Sequence, residues 1–295
     1  MHRFAVFVAF ATLCLIVAGA LVTSNEAGLA VPDWPLSYGS LTPPWVGNIR
    51  FEHGHRVIAS TVGMLTIALA VWLWRREPRR WVQRLGFIAL AAVVAQGILG
   101  GLTVLFFLPA PISVAHACLA QAFFCMTVTI ALATGRQWQQ PVVQIPDPQF
   151  PTLGQLATIT TASIYLQLVL GAALRHKASG IIPHLIGAAV VAILVMWTLY
   201  RALTRHSGQA VLMRPAGLLG TLLFLQLILG AASYMVREAT RDAPQPMFVM
   251  VVITVAHVAT GALTLAASLC LTLESRRLLL AAPTPSRDRE GAVPA

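Results

Sequence analysis

Charge is what this 295-residue chain has least of: Asp, Glu, Lys and Arg make up 10% of it, against about 25% in an ordinary soluble domain. With 57% apolar residues and a positive mean hydropathy, that scarcity excludes a water-soluble globular domain. Cysteine is scarce too. The four present, Cys14, Cys118, Cys125 and Cys270, all lie inside apolar runs, so no loop carries a pair for an exported disulfide framework. They read as small core residues. No Cys-x-x-Cys-His run occurs, which excludes covalent haem attachment of that kind.

What the chain has instead is long uncharged runs. Eight of them, 4–22, 57–74, 85–108, 112–134, 152–174, 181–200, 215–236 and 247–273, are each long enough to cross roughly 30 Å of hydrocarbon as a helix. The expected fold class is an all-α membrane protein of eight transmembrane helices. The first run follows His2 and Arg3 and ends near Ala18-Gly19-Ala20, like a secretory signal. Its 19 residues exceed the roughly 7–15 of a signal core, so a retained first helix is expected.

The net charge of +10 reports topology. With the N-terminus inside, fourteen of the twenty basic residues fall in cytoplasmic segments, among them Arg75, Arg76, Arg79, Arg80, Arg84, Arg276 and Arg277. The outer segments hold Arg50, Arg56, Arg175, Lys177, Arg237 and Arg241. That bias places both termini in the cytoplasm and implies no nucleic-acid partner.

The chain repeats itself. Gly19-Ala20 and Gly28 match Gly171-Ala172 and Gly180 at an offset of 152, and His55 matches His184 at 129. Gln96-Gly97-Ile98-Leu99-Gly100 matches Gln226-Leu227-Ile228-Leu229-Gly230 at 130, and Val114-Ala115-His116 matches Val255-Ala256-His257 at 141. Two four-helix bundles in parallel orientation are therefore expected, related by a pseudo-twofold axis along the membrane normal. The expected units are 1–136, a cytoplasmic linker 137–151, 152–275 and a cytoplasmic tail 276–295. The tail, with Pro283, Pro285 and alternating charges, reads as disordered from Ala281. The longest connection, 23–52, carries Pro32, Trp34, Pro35, Tyr38 and Trp45, and reads as either an interfacial loop or a lid.

Phe51-Glu52-His53-Gly54-His55-Arg56 concentrates the polar chemistry. On a helix Glu52, His55 and Arg56 share one face, while His53 points away from it. His2, His176 and His206 sit in loop-like segments and read as solvated. The remaining histidines, His55, His116, His184 and His257, enter alternate helices near the outer side, and intramembrane ionisable groups are rare and functional by default. Zinc would want more donors than two His and one Glu per half. Two imidazoles on separate helices of a bundle suit haem iron instead, as His55 with His116 and His184 with His257. Ala59, Ala120, Gly187 and Gly261, a turn further on, would leave room for a porphyrin. Ile181 replaces Glu52 in the second half, so the first pocket reads as reactive and the second as electron-carrying.

These residues, with Gly28-Leu29 and Pro32-Asp33-Trp34-Pro35, give the chain its resemblance to the haem A synthase family, over about residues 10–273. The resemblance implies oxidation of the C8 methyl of haem O to a formyl group. It implies that His184 and His257 ligate a resident haem b and that His55 and His116 hold the substrate haem O. It implies a catalytic Glu52 near the methyl, with Arg56 at the cofactor. Many bacterial members carry a cysteine pair in the first outer loop; here Val31 and Ser37 stand about there. Implied partners are haem O, haem O synthase, terminal oxidase assembly, an electron acceptor, the bilayer and a second copy of the chain. The implied place is a bacterial-type plasma membrane, with the haem sites toward its outer face. Two other classes remain to be discriminated. A di-haem b cytochrome would hold haem b alone and leave it unmodified. A histidine-relay transporter would show no Soret band and would want discontinuous helices, which these unbroken runs do not suggest.

Overall fold

The computed structural model describes residues 1–281. Eight long helices dominate: α1 (His2–Ser24), α2 (Ile49–Arg76), α3 (Arg80–Leu105), α4 (Ala110–Ala133), α6 (Leu153–Arg175), α7 (Ile181–Arg205), α8 (Ala210–Ala239) and α9 (Phe248–Leu278). A four-residue turn, α5 (Arg136–Gln139), follows α4. At 23 to 31 residues, each long helix can cross a bilayer, which makes this an all-α integral membrane protein.

Local sequence sets the helix ends. Glu77 turns extended ahead of Pro78 and stops α2, because proline disfavours a helical residue before it. Pro111 sits in the first turn of α4, where its missing N–H removes no helix bond. Thr152 and Gln155 form a capping box at the start of α6.

Within the first half α1 packs on α2, α2 on α3, α3 on α4, and α4 returns to α1. The second half closes in the same order through α6, α7, α8 and α9. Each half has its own buried core, around Leu69, Leu73 and Phe123 in one and around Leu212, Leu219 and Leu265 in the other. The halves meet where α1 and α4 touch α9 and where α4 touches α6, with Ile16, Phe124 and Ala262 packed between them. Tyr165 adds a hydrogen bond across this seam, from its hydroxyl to the Cys118 carbonyl at 3.1 Å. Thr160 with Thr198, and Thr161 with Ser268 and Thr272, bond between helices at 2.7–2.8 Å, as hydroxyls do where no water competes. Large apolar side chains such as Met64, Ile67, Ile186 and Ile193 stay exposed on the outer surface, the face that lipid would cover.

The linker and the start of the tail hold more structure than their composition suggests. Ile145–Asp147 (β1) pairs in parallel with Leu279–Ala281 (β2), and the Asp147 carboxylate accepts from Leu153 N at 2.7 Å. α9 runs on to Leu278, so the expected tail from 276 begins as helix and strand. The expectation of disorder concerns, from residue 282 onward, positions outside the described residues. His206 is buried rather than solvated, with Nε2 3.7 Å from Asp147, because the linker folds over the end of α7.

Candidate haem pockets and their lid

Four imidazoles and four glycines meet one to one. A Cβ added to Gly19 on α1 would lie 3.2 Å from His55 Cε1, and one on Gly100 of α3 would lie 3.2 Å from His116 Cε1. In the second half Gly171 on α6 stands 3.1 Å from His184, and Gly230 on α8 stands 3.1 Å from His257, by the same measure. A larger residue at any of the four would push the ring out of its place. These glycines belong to the repeated segments, so the sequence repeat is a repeat of ring seats. The expected room beside Gly187 is taken by the Gln167 side chain, and that beside Gly261 by Gln226 and Leu168.

The structure brings His184 and His257 ring to ring. The His184 and His257 ring centres are 6.4 Å apart with planes at 81°. Two imidazoles on opposite sides of one metal ion, each bonded at about 2.0 Å, have ring centres roughly 6 Å apart. His55 and His116 lie within electrostatic range of one another on α2 and α4. Nδ1 of His55, His116 and His257 is buried with no hydrogen-bond partner, and a buried ring nitrogen left without one is free for a bound group. Among the described residues no three His, Cys, Asp or Glu side chains converge, so the donor set is two imidazoles per half. That set fits haem iron and not a four-coordinate zinc.

Three glutamines reach these histidines, one of which the sequence reading did not single out. Gln96 Nε2 donates to the His116 carbonyl at 2.8 Å. Gln226 Nε2 lies 3.4 Å from His257 Nε2. Gln167, the new one, reaches both the His184 carbonyl at 2.9 Å and His184 Nδ1 at 3.0 Å. At the repeat offset of 152 its counterpart is Leu15, so only His184 is oriented in this way.

Glu52 and Arg56 are an ion pair at 2.6 Å, as their spacing on one helix predicts. Both are also committed to the first outer loop. The second carboxylate oxygen of Glu52 accepts from Val31 N at 2.8 Å. The Arg56 guanidinium donates to the carbonyls of Asp33 at 2.7 Å, Leu36 at 2.6 Å and Val31 at 3.2 Å. His53, on the neighbouring face, is buried, sits 2.9 Å from Ser37 Oγ through Nδ1 and meets Trp45 edge-on. Thus Val31 and Ser37 are each tied to α2 by a hydrogen bond. The loop's own tip is folded by Asp33, whose carboxylate accepts from Tyr38 N and Gly39 N at 2.7 and 2.8 Å. Gly39 adopts φ +67°, a conformation that costs glycine nothing. Trp34 lies against Gly101, one residue from the glycine behind His116, so the loop roofs the first pocket.

The Gly39 and Tyr38 N–H groups hold the Asp33 carboxyl below the usual carboxylate range. His176, which follows α6, is partly buried and stands within electrostatic range of His116. Burial, and the Arg175 charge beside it, lower its basicity, so it is not the solvated loop residue its position suggests. His2 is exposed, with Nδ1 3.0 Å from the Ala131 carbonyl.

Residues 48–284 match the family model COX15-CtaA, described as cytochrome oxidase assembly protein. The chain belongs to that family. Within COX15-CtaA, it is 31% identical to the "Heme A synthase" of Symbiobacterium thermophilum over 227 residues, 66% of this chain and 73% of that protein. It is 35% identical over 105 residues to the "Heme A synthase" of Lysinibacillus sphaericus, 35% of this chain and 34% of the relative. The "Heme A synthase" of Bacillus licheniformis is 28% identical over 177 residues, 58% of this chain and 57% of the relative. The last two matches span less than two thirds of those relatives.

Proposed function

We propose that this protein is a haem A synthase, a membrane oxidoreductase that converts the C8 methyl of haem O to a formyl group and so provides haem A for terminal oxidases. The observation that carries the reading is the fourfold seating of an imidazole against a glycine, two per half, in a chain of this family. A His-relay transporter has no need of such paired seats.

In this reading the halves divide the work about a pseudo-twofold axis along the membrane normal. His184 and His257 hold a resident haem b, which supplies one-electron transfer when bound. Gln167 holds His184 in place through its carbonyl and its ring. His55 and His116 hold the substrate haem O by its iron. The C8 carbon passes from methyl to alcohol, taking its oxygen from a water molecule, and then to aldehyde; each stage gives up two protons and two electrons, the electrons going to a separate electron acceptor. Glu52 stands beside that carbon and serves as a base or steadies developing positive charge. Its two recorded bonds leave lone pairs for this, since a carboxylate has about four acceptor sites. Arg56 acts on the pocket through the loop, holding Val31, Asp33 and Leu36 down. Trp34 then closes the roof and shields the reacting edge from bulk water.

The surplus of basic residues at one end of the helices supports cytoplasmic termini and pockets toward the outer face of a plasma membrane. Haem O synthase, terminal oxidase assembly and a second copy of this chain are the partners proposed. The test is pigment extraction and chromatography from cells making the protein with a haem O source. Haem A or its hydroxymethyl precursor supports the synthase, and haem b alone in both pockets would make the protein a di-haem electron carrier.

A further inference from the structure

The second half carries two arginines near the ends of α6 and α8, Arg175 and Arg237, that make no ion pair among the described residues. Arg175 lies one turn beyond Gly171 on α6, and Arg237 lies two turns beyond Gly230 on α8. Residues at i+4 and i+7 share the face of residue i, so each arginine stands on the face that closes on a histidine, His184 or His257. The two guanidiniums are within electrostatic range of one another, and the one acidic neighbour of Arg175 is Glu26. Arg175 is partly buried, and its recorded hydrogen bond goes to the neutral hydroxyl of Ser24 at 2.9 Å. A guanidinium has five N–H donors to satisfy. Glu238, next to Arg237, pairs with Arg241 instead. Arg175 is half-buried and Arg237 is exposed, and two like charges at the same end of one bundle favour an anion between them.

The first half is built differently at these places. The repeat offsets of 152 and 130 put Thr23 opposite Arg175 and Phe107 opposite Arg237. Arg56, on α2 of the first half, is already committed to Glu52 and three loop carbonyls. An iron porphyrin of the haem b or haem O kind carries two carboxylates along one edge. A group that must stay gains from having both of them gripped, and a group that must arrive as substrate and leave as product does not.

We infer that Arg175 and Arg237 bind the two carboxylates of the porphyrin in the second half, and that this grip is what makes one haem resident and the other transient. The inference rests on the reading of His184 and His257 as haem ligands. It is tested on full-length protein from haem-limited cells, with His55→Ala and His116→Ala removing the first pocket. Haem b and its dimethyl ester are titrated in turn and followed by Soret absorbance. The expected result is haem b binding at least about tenfold tighter than the ester, the scale of a single charge-assisted hydrogen bond. Arg175→Gln with Arg237→Gln should bring haem b down to the ester's affinity while leaving the ester unchanged. Equal affinity for acid and ester in the unsubstituted pocket overturns the grip and leaves the histidine reading standing. Failure of both ligands to bind overturns the histidine reading itself. A preference for the acid that appears instead in His184→Ala, His257→Ala protein would place the grip on the first half, against the inference.

Discussion

Gly230 shows how little space separates a seated imidazole from a displaced one. With His257 Cε1 3.1 Å from where a Cβ would stand, alanine already requires a shift of a few tenths of an ångström, and leucine fills the ring's volume. Gly230→Leu is expected to lose the second-half haem and keep the first-half pocket, read as haem per protein and by the identity of the extracted pigment. At Glu52 the expected outcome is the reverse: Glu52→Ala keeps resident haem b and stops haem A accumulation. Arg56 is half-buried and keeps its three loop carbonyls when Glu52 is removed, but Val31 N loses its charged acceptor, at about 1.5–3 kcal/mol, so Glu52→Ala also loosens the loop. Glu52→Gln separates the two effects. It can still accept from Val31 N, so a protein with a closed loop and no haem A assigns Glu52 to the chemistry, and normal haem A removes it from the mechanism. The acid and its partner were legible from spacing alone. Gln167 was not, because a single amide in a leucine-rich run matches no periodic pattern; only the contact to His184, against Leu15 in the other half, distinguishes it.

The loop between α1 and α2 folds its tip on Asp33 and is held down by side chains of its neighbour α2. Proline and tryptophan in the sequence leave lid and interfacial loop both open. The structure decides through Arg56, whose partners are main-chain carbonyls that every residue possesses and that no sequence signature marks. Arg56→Lys keeps the charge but loses the fork that reaches several carbonyls at once, so it is expected to raise protease cleavage within 25–48 nearly as much as Arg56→Ala does. If the lysine protein resists cleavage like the parent, charge and not the fork holds the loop. The tip responds to pH through Asp33. Its carboxyl is held below the ordinary range by the Gly39 and Tyr38 N–H groups in the folded loop. A depressed folded-state pKa contributes stability that is complete above the ordinary carboxylate range and is lost as pH falls through the lowered value. Cleavage at 33–40 by an acid-active protease should therefore rise as the solution is acidified below that range, and Asp33→Asn should flatten the rise while opening the tip at neutral pH.

At the scale of the molecule, hydropathy and length placed all eight spanning helices, since in lipid a helix is the one open-chain structure that satisfies its own backbone. Helix ends moved by up to eight residues where polar segments continue the helix, as at Ile49, ahead of the apolar run that begins at Val57. The β1–β2 pairing was illegible because its two three-residue strands stand more than 130 residues apart and carry no pattern of their own. Orientation is the remaining property of the whole, and it fixes which compartment the pockets serve. The basic cluster Arg75 to Arg80 ends α2 and begins α3, whereas Lys177 lies between α6 and α7 at the end that holds Gly171 and His184. Positive charge is retained on the cytoplasmic side, so the cluster should face inward and Lys177 outward. The native thiols all lie within α1, α4 and α9, away from both loops, which makes single introduced cysteines readable. In intact cells a membrane-impermeant maleimide should label Lys177→Cys and leave Arg80→Cys unreacted until the membrane is opened. The opposite pattern would turn the loop, Arg175, Arg237 and all four imidazoles toward the cytoplasm.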